Sequence, residues 1–136
     1  MGAKLNPTEQ RRRILLVDPD HETFMRLILL LDEGAHNRYT MDWAATFRFG
    51  TSLPQRNDYD LAMVGSSLGF HSGLEFTHAT HQISPDLPLI VLQHSDGLMA
   101  DIEPTEAVWD FIELDRLESS ALMSSISEAC AHRSNA

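Results

Sequence analysis

With Cys130 as its only cysteine, the chain can form no internal disulfide, so its fold has to rest on packing and hydrogen bonds. That usage suits a reducing cytoplasm, where the chain is expected to work. No long hydrophobic run is present either. The longest, Leu27 to Leu31, is far too short to span a bilayer, and the N-terminus lacks an apolar signal core. Positive charge is scarce as well: ten Lys and Arg stand against twenty Asp and Glu, a formal net charge of −10. Nucleic acid and anionic membrane would both repel such a surface, so neither is expected as a partner. The local exception is Arg11-Arg12-Arg13, which reads as a solvated lead-in to a strand.

What is present suffices for one globular domain. A chain of 136 residues fits one domain. At that size folding buries roughly two-thirds of the unfolded surface. The 43% hydrophobic content can fill one core. The expected limits are a flexible lead-in at 1–11, a domain at 12–132 and a tail at 133–136. An end so close behind the last helical pattern is also what a module cut from a longer protein would show.

Alternation of strand and helix signals runs along the whole chain. Ile14-Leu15-Leu16-Val17 is a short apolar run rich in branched residues, punctuated at once by Asp18-Pro19-Asp20, as in a strand buried on both faces. Phe24, Leu27, Ile28 and Leu31 recur at helical spacing between His21 and Glu33, with Gly34 as a stop signal. A weaker strand follows at Tyr39 to Trp43. After it comes a short helix at 44–54, interrupted by Gly50 and ended by Pro54. Asp60 to Val64 is a strand stopping at Gly65, and Ser66 to His71 a loop. Ser72-Gly73-Leu74-Glu75 is a capping box that opens a helix to about Gln82. Pro88 to Leu92 and Trp109 to Ile112 are the fourth and fifth strands. Residues 98–107 between them have helical composition broken by Pro104. A last helix places Leu117, Ala121, Leu122, Ile126 and Ala129 on one face.

Parallel strands need such crossovers, and crossovers are nearly always right-handed. The expected architecture is therefore α/β, a (βα)5 doubly wound parallel sheet of flavodoxin-like order 2-1-3-4-5. Ligands in such sheets collect at the carboxyl ends of the strands. In this chain that rim carries Asp18, Pro19, Asp20, Gly65, Ser66, Gln93, His94 and Leu114.

From about Arg13 to His132 the chain resembles the receiver domains of two-component response regulators. The residues that carry the likeness are Ile14 to Asp18, Tyr59-Asp60-Leu61, Gly73-Leu74-Glu75, Pro88 to Leu92 and Asp110-Phe111-Ile112. Leu68-Gly69 followed by Ser72 to Phe76, and the tail from Asp115 to Ala129, are similar to receivers attached to PAS, GGDEF and EAL modules or to hybrid kinases. The likeness implies a phosphoacceptor Asp closing the third strand. It also implies an acidic pair after the first strand to hold magnesium, a Ser or Thr after the fourth, and a Lys after the fifth. Metal and Lys would neutralise the developing charge of phosphoryl transfer.

The departures fall on these positions. Gly65 matches the acceptor, Gln93 the Ser or Thr, and Leu114 the Lys, with Asp115 where a Pro usually follows; Asp18 survives from the acidic pair, but its neighbour is Pro19. No lysine occurs after Lys4, so a slipped alignment does not restore one. Asp18 and Asp20 are weak candidates for metal, Asp20 being better placed to cap the first helix. The expectation is a non-catalytic pseudo-receiver with no cofactor. It would act through a protein partner, an attached output domain, or a homodimer on the face of the fourth helix, fifth strand and fifth helix. Leu98, Met99, Trp109 and Phe111 lie there, with acidic Asp101, Glu103, Glu106 and Glu113, and Phe111 sits where receivers carry a switch aromatic.

Other constellations are weaker. Ser66 or Ser67, with His71 or His94 as base, could make an unconventional phosphoacceptor, against plain loop hydrogen bonding. The space freed at Gly65 could serve a small-molecule sensor. His78 and His81, three apart on one helix, with His71 and His94 on loops, show no convergence toward zinc and read as surface histidines. Flavin is disfavoured, because Asp18-Pro19-Asp20 offers two negative charges and a missing amide where a phosphate would sit.

Overall fold

The structure is a computed structural model that describes residues 11–93 and 108–134, with side chains through Ala131. His94, the proline-broken segment at 98–107, and with it Leu98, Met99, Asp101, Glu103 and Glu106 lie outside the described residues.

The main sheet is built from β1 (Arg12–Val17), β2 (Tyr39–Ala44), β3 (Leu61–Gly65), β6 (Leu89–Gln93) and β7 (Val108–Glu113). All are parallel, in the order β2-β1-β3-β6-β7. Counting main-sheet strands alone, this is the expected order 2-1-3-4-5. The helices are α1 (His21–Ala35), α2 (Phe47–Ser52), α3 (Gly73–Ile83) and α4 (Ser119–Ser134).

Both faces of the sheet are buried, which is why its strands read as unbroken apolar runs. Side chains alternate across it. Ile14, Leu16, Met63, Ile90 and Ile112 face α1 and α4, meeting Leu27, Leu31, Leu122 and Ile126. Leu15, Val17, Ala62, Val64, Leu89 and Val91 face the other way, onto Phe76 of α3 and Phe47 of α2.

Several boundaries differ from expectation for identifiable reasons. Gly34 does not stop α1: a Cβ there would press on Met123 of α4, with Cγ at 2.7 Å, so its smallness serves helix packing. The chain turns instead at Asn37, with φ 62°. Gly50 likewise lies inside α2, not at an interruption. Residues 66–71, expected as a loop, contain a two-stranded antiparallel hairpin, β4 (Ser67–Leu68) and β5 (His71–Ser72). Gly69 supplies the positive φ, 79°, that its two-residue turn requires. The capping box of α3 forms as expected: Glu75 N donates to Ser72 Oγ at 3.1 Å and Ser72 N to Glu75 Oε1 at 3.4 Å.

Ala121, placed by pattern on the buried face of the last helix, is exposed. The face against the sheet is Leu122, Ser125, Ile126, Ala129 and Cys130, while Leu117 is buried ahead of the helix. Arg13 is more than a solvated lead-in: its guanidinium meets Asp42 Oδ2 at 3.0 Å and lies over the Tyr59 ring, 5.1 Å from the centroid. Tyr59 OH donates to the same Asp42 oxygen at 2.6 Å. Burial, then that carboxylate, push the phenol pKa up.

Gly50 offers a test of this packing. A Cβ there would meet both Val17 methyls at 2.7 Å and Phe76 Cε2 at 3.0 Å. Helix propensity alone would make Gly50→Ala stabilising by about 1 kcal/mol. Overpacking against β1 reverses the sign, and a net loss of ~1–2 kcal/mol is expected in urea unfolding.

Candidate functional site

The carboxyl ends of β1, β3 and β6 bring Asp18, Gly65 and Gln93 to one rim. The first feature there is how firmly Asp18 is held. Its backbone N donates to Ala44 O at 3.0 Å, and its carbonyl accepts Trp43 Nε1 at 2.7 Å. Its side-chain Oδ1 accepts Asp20 N at 2.8 Å. The residue is only 6% exposed. Pro19, which has no amide to offer, carries the chain across the bend between the two acids. Asp20 is the N-cap of α1, its Oδ1 accepting Glu22 N at 2.9 Å. Each acid thus has an oxygen engaged by the turn itself.

Gly65 closes β3, and the space above it is taken. A Cβ built on Gly65 would run into Asp18 Oδ2, with Asp18 Cγ only 3.0 Å away. The Asp18 carboxyl group occupies the place a side chain at 65 would need.

The other two positions are buried and uncharged. Leu114 follows β7 in a short 3-10 turn, is 2% exposed, and belongs to the core between the sheet and α1. It brings no charge to the rim. Gln93 is buried, and its Nε2 has no hydrogen-bond partner among the described residues.

Beside the rim, the β4–β5 hairpin is latched through His71. The His71 ring stacks on Phe47 of α2 with centroids 4.1 Å apart, and Nδ1 lies 2.9 Å from Glu75 Oε2. That imidazole, helped by the Ser72 amide, holds the Glu75 carboxyl below the usual carboxylate range. His71 is thereby committed to Phe47 and Glu75; across the hairpin it pairs with Leu68, and Ser67 pairs with Ser72. Phe70, at the hairpin tip, is fully exposed. Across the rim, Trp43 stacks on Phe24 at 5.4 Å and contacts His21 at 5.2 Å.

The histidines of α3 do not gather. His78 Nε2 lies 3.2 Å from Gln82 Nε2, and His81 Nδ1 is buried without a partner among the described residues. Among the described residues no group of three or more His, Cys, Asp and Glu side chains is placed to hold a metal ion. No helix among them is long and apolar enough to cross a membrane.

On the far edge, β7 carries Trp109, 38% exposed, and half-buried Phe111, which packs on the α2–α3 side of the core. Sequence reasoning placed these residues but missed the hairpin and the Asp18 conformation. The Gly69 turn signal could have revealed the first; nothing in the residue order encodes the second.

No family model matches the sequence, and no curated protein matches it. Solved structures do match. The signal receiver domain of an HD-domain-containing protein from Pseudomonas fluorescens has a TM-score of 0.79 at 22% identity, covering 93% of this chain and 100% of that one. A CheY-like response regulator receiver domain protein from Methanospirillum hungatei gives 0.78 at 20%, covering 93% and 98%. The N-terminal domain of a response regulator/sensory box/GGDEF three-domain protein from Carboxydothermus hydrogenoformans gives 0.73 at 19%, covering 88% and 94%. The fold is that of receiver domains.

The fit of Asp18 over Gly65 predicts strong coupling between the two positions. Gly65→Ala should destabilise the domain, and Asp18→Ala should cost stability through the lost bond to the Asp20 amide. The double variant should be more stable than the sum of the two by ~1–3 kcal/mol, measured as a double-mutant cycle in urea.

Proposed function

We propose that this chain is a receiver-like signalling domain that takes up no phosphoryl group and acts by binding protein, either an output domain on the same polypeptide or a separate partner. The observation that carries this is the end of β3, where Gly65 offers no acceptor and the Asp18 carboxyl group fills the space above it. Phosphoryl transfer relies on an in-line acceptor and on cations that neutralise developing charge. Here the acceptor is absent, the lysine position is an apolar core residue, and Asp20 is turned toward the start of α1. The domain is therefore read as non-enzymatic.

The setting we favour is a bacterial two-component or cyclic-di-GMP signalling protein in the cytoplasm. Structural neighbours that come from GGDEF- and HD-domain proteins support it. The partner-facing surface we favour is the β7 edge, where Trp109 stands out beside Phe111. A half-exposed tryptophan gives a rigid, amphipathic anchor of the kind that dominates interfaces.

Intact mass after incubation with acetyl phosphate and magnesium tests this directly, with an ordinary receiver as control. The expected result is no gain in mass while the control gains one phosphoryl group. A stoichiometric gain would overturn the proposal, and mapping it would identify the acceptor. In the same preparation, calorimetry should find magnesium affinity weaker than millimolar, since one of the two retained acids is buried and the other caps a helix.

A further inference from the structure

We infer that the outer face of α1 is a self-association surface, on which a second copy of this chain packs antiparallel about Leu29. The inference begins with the five consecutive apolar residues Leu27 to Leu31. A helix with one apolar stripe needs one partner, and large apolar residues on the opposite face are left over. Leu27 and Leu31 are buried against the sheet, at 0% and 4% exposure. Leu29, on the opposite side, is 66% exposed, and Met25, one turn before it, is 44% exposed. Residues four apart share a helix face, so these two form one ridge. Next to the ridge lies a shallow depression of about 110 Å³ between the later half of α1 and the start of β2, lined by Ile28, Leu31 and Tyr39 among others. Ridge and depression on one surface are what a two-fold contact needs, since each copy supplies both halves.

Charge selects the occupant and its direction. Around Leu29 the helix is electrically lopsided. Arg26 lies three residues before it, while Asp32 and Glu33 lie three and four residues after. Glu22 and His36 flank the face at seven residues on either side. Reversing a second copy about Leu29 brings Arg26 opposite the acidic pair of that copy and Glu22 opposite its His36. A parallel copy would set like charge against like. The chain's net charge of −10 repels unaligned copies, so only an arrangement that pairs charges in register is favoured. The present partners do not oppose it. Arg26 Nη2 donates to Asp115 O at 3.1 Å and Asp32 pairs with His36, both at the exposed surface, where exchanging partners costs little.

Sedimentation equilibrium on the full chain, from micromolar to millimolar concentration, tests the inference. The wild type should rise from one to two chain masses as concentration increases. Leu29→Glu should hold it at one, with an unchanged melting temperature, because Leu29 lies outside the core. Arg26→Glu should weaken association about tenfold or more, and the combination of Arg26→Glu with Glu33→Arg should recover it. Trp109→Ala should leave the equilibrium unchanged, which separates this face from the β7 edge. A single-chain mass at every concentration would overturn the inference. So would a dimer that survives Leu29→Glu or dissolves with Trp109→Ala, and loss without rescue in the charge-reversed pair would overturn the antiparallel register.

Discussion

A carboxyl group taken out of water must be given hydrogen bonds and room, or it costs several kcal/mol. Asp18 is given both: an amide two residues on and the space above a glycine. Much of the rim follows from that one accommodation. Drawing the Asp20 amide toward Asp18 fixes the turn that Pro19 bridges. The Asp20 side chain is then left to cap α1, which sets where the helix begins. The Asp18 carbonyl, held in place, receives the Trp43 indole, and Trp43 in turn stacks on Phe24. One residue thus ties together a turn, a helix start and an edge strand.

The same accommodation makes the sequence departures coherent with one another. On the reading proposed above, the acid next to Gly65 occupies the room that an acceptor side chain would need. On the proposed reading no cation is needed at the rim, and Leu114 serves the core. A buried ammonium without an anion beside it would be expensive there.

The sheet was legible in the sequence because parallel strands covered on both sides leave unmistakable apolar runs, as at Leu61 to Val64 and Leu89 to Leu92. The capping box at Ser72 was legible because its chemistry is local. The hairpin was not: its strands are two residues each, all but Leu68 polar, and only Gly69 marks it. Gly34 and Gly50 misled for a shared reason. Each is small so that a distant element can approach, Met123 in one case and Val17 in the other, and distance along the chain hides such contacts. Ala121 was misplaced because the buried stripe of α4 includes Ser125, whose hydroxyl reaches Asp110 Oδ2 at 2.8 Å. A hydrophobic pattern has no way to count a satisfied serine. The Asp18 rotamer depends on what position 65 lacks, which only the assembled structure displays.

The register between β6 and β7 slips by one residue: Leu89 pairs with Val108, but Ile90 pairs with Asp110, leaving Trp109 over. Val108 and Phe111 can therefore both face the α2–α3 side, while Asp110 and Ile112 face α4. The slip also protects the molecule. β7 ends the sheet, and an unbroken strand edge is a template for another chain to add its own backbone, the first step toward uncontrolled polymerisation. A bulge bends and twists that edge so that the ladder of donors and acceptors is out of step with an incoming strand. The extra tryptophan thus leaves a side chain displayed at this edge while the backbone beside it resists being copied.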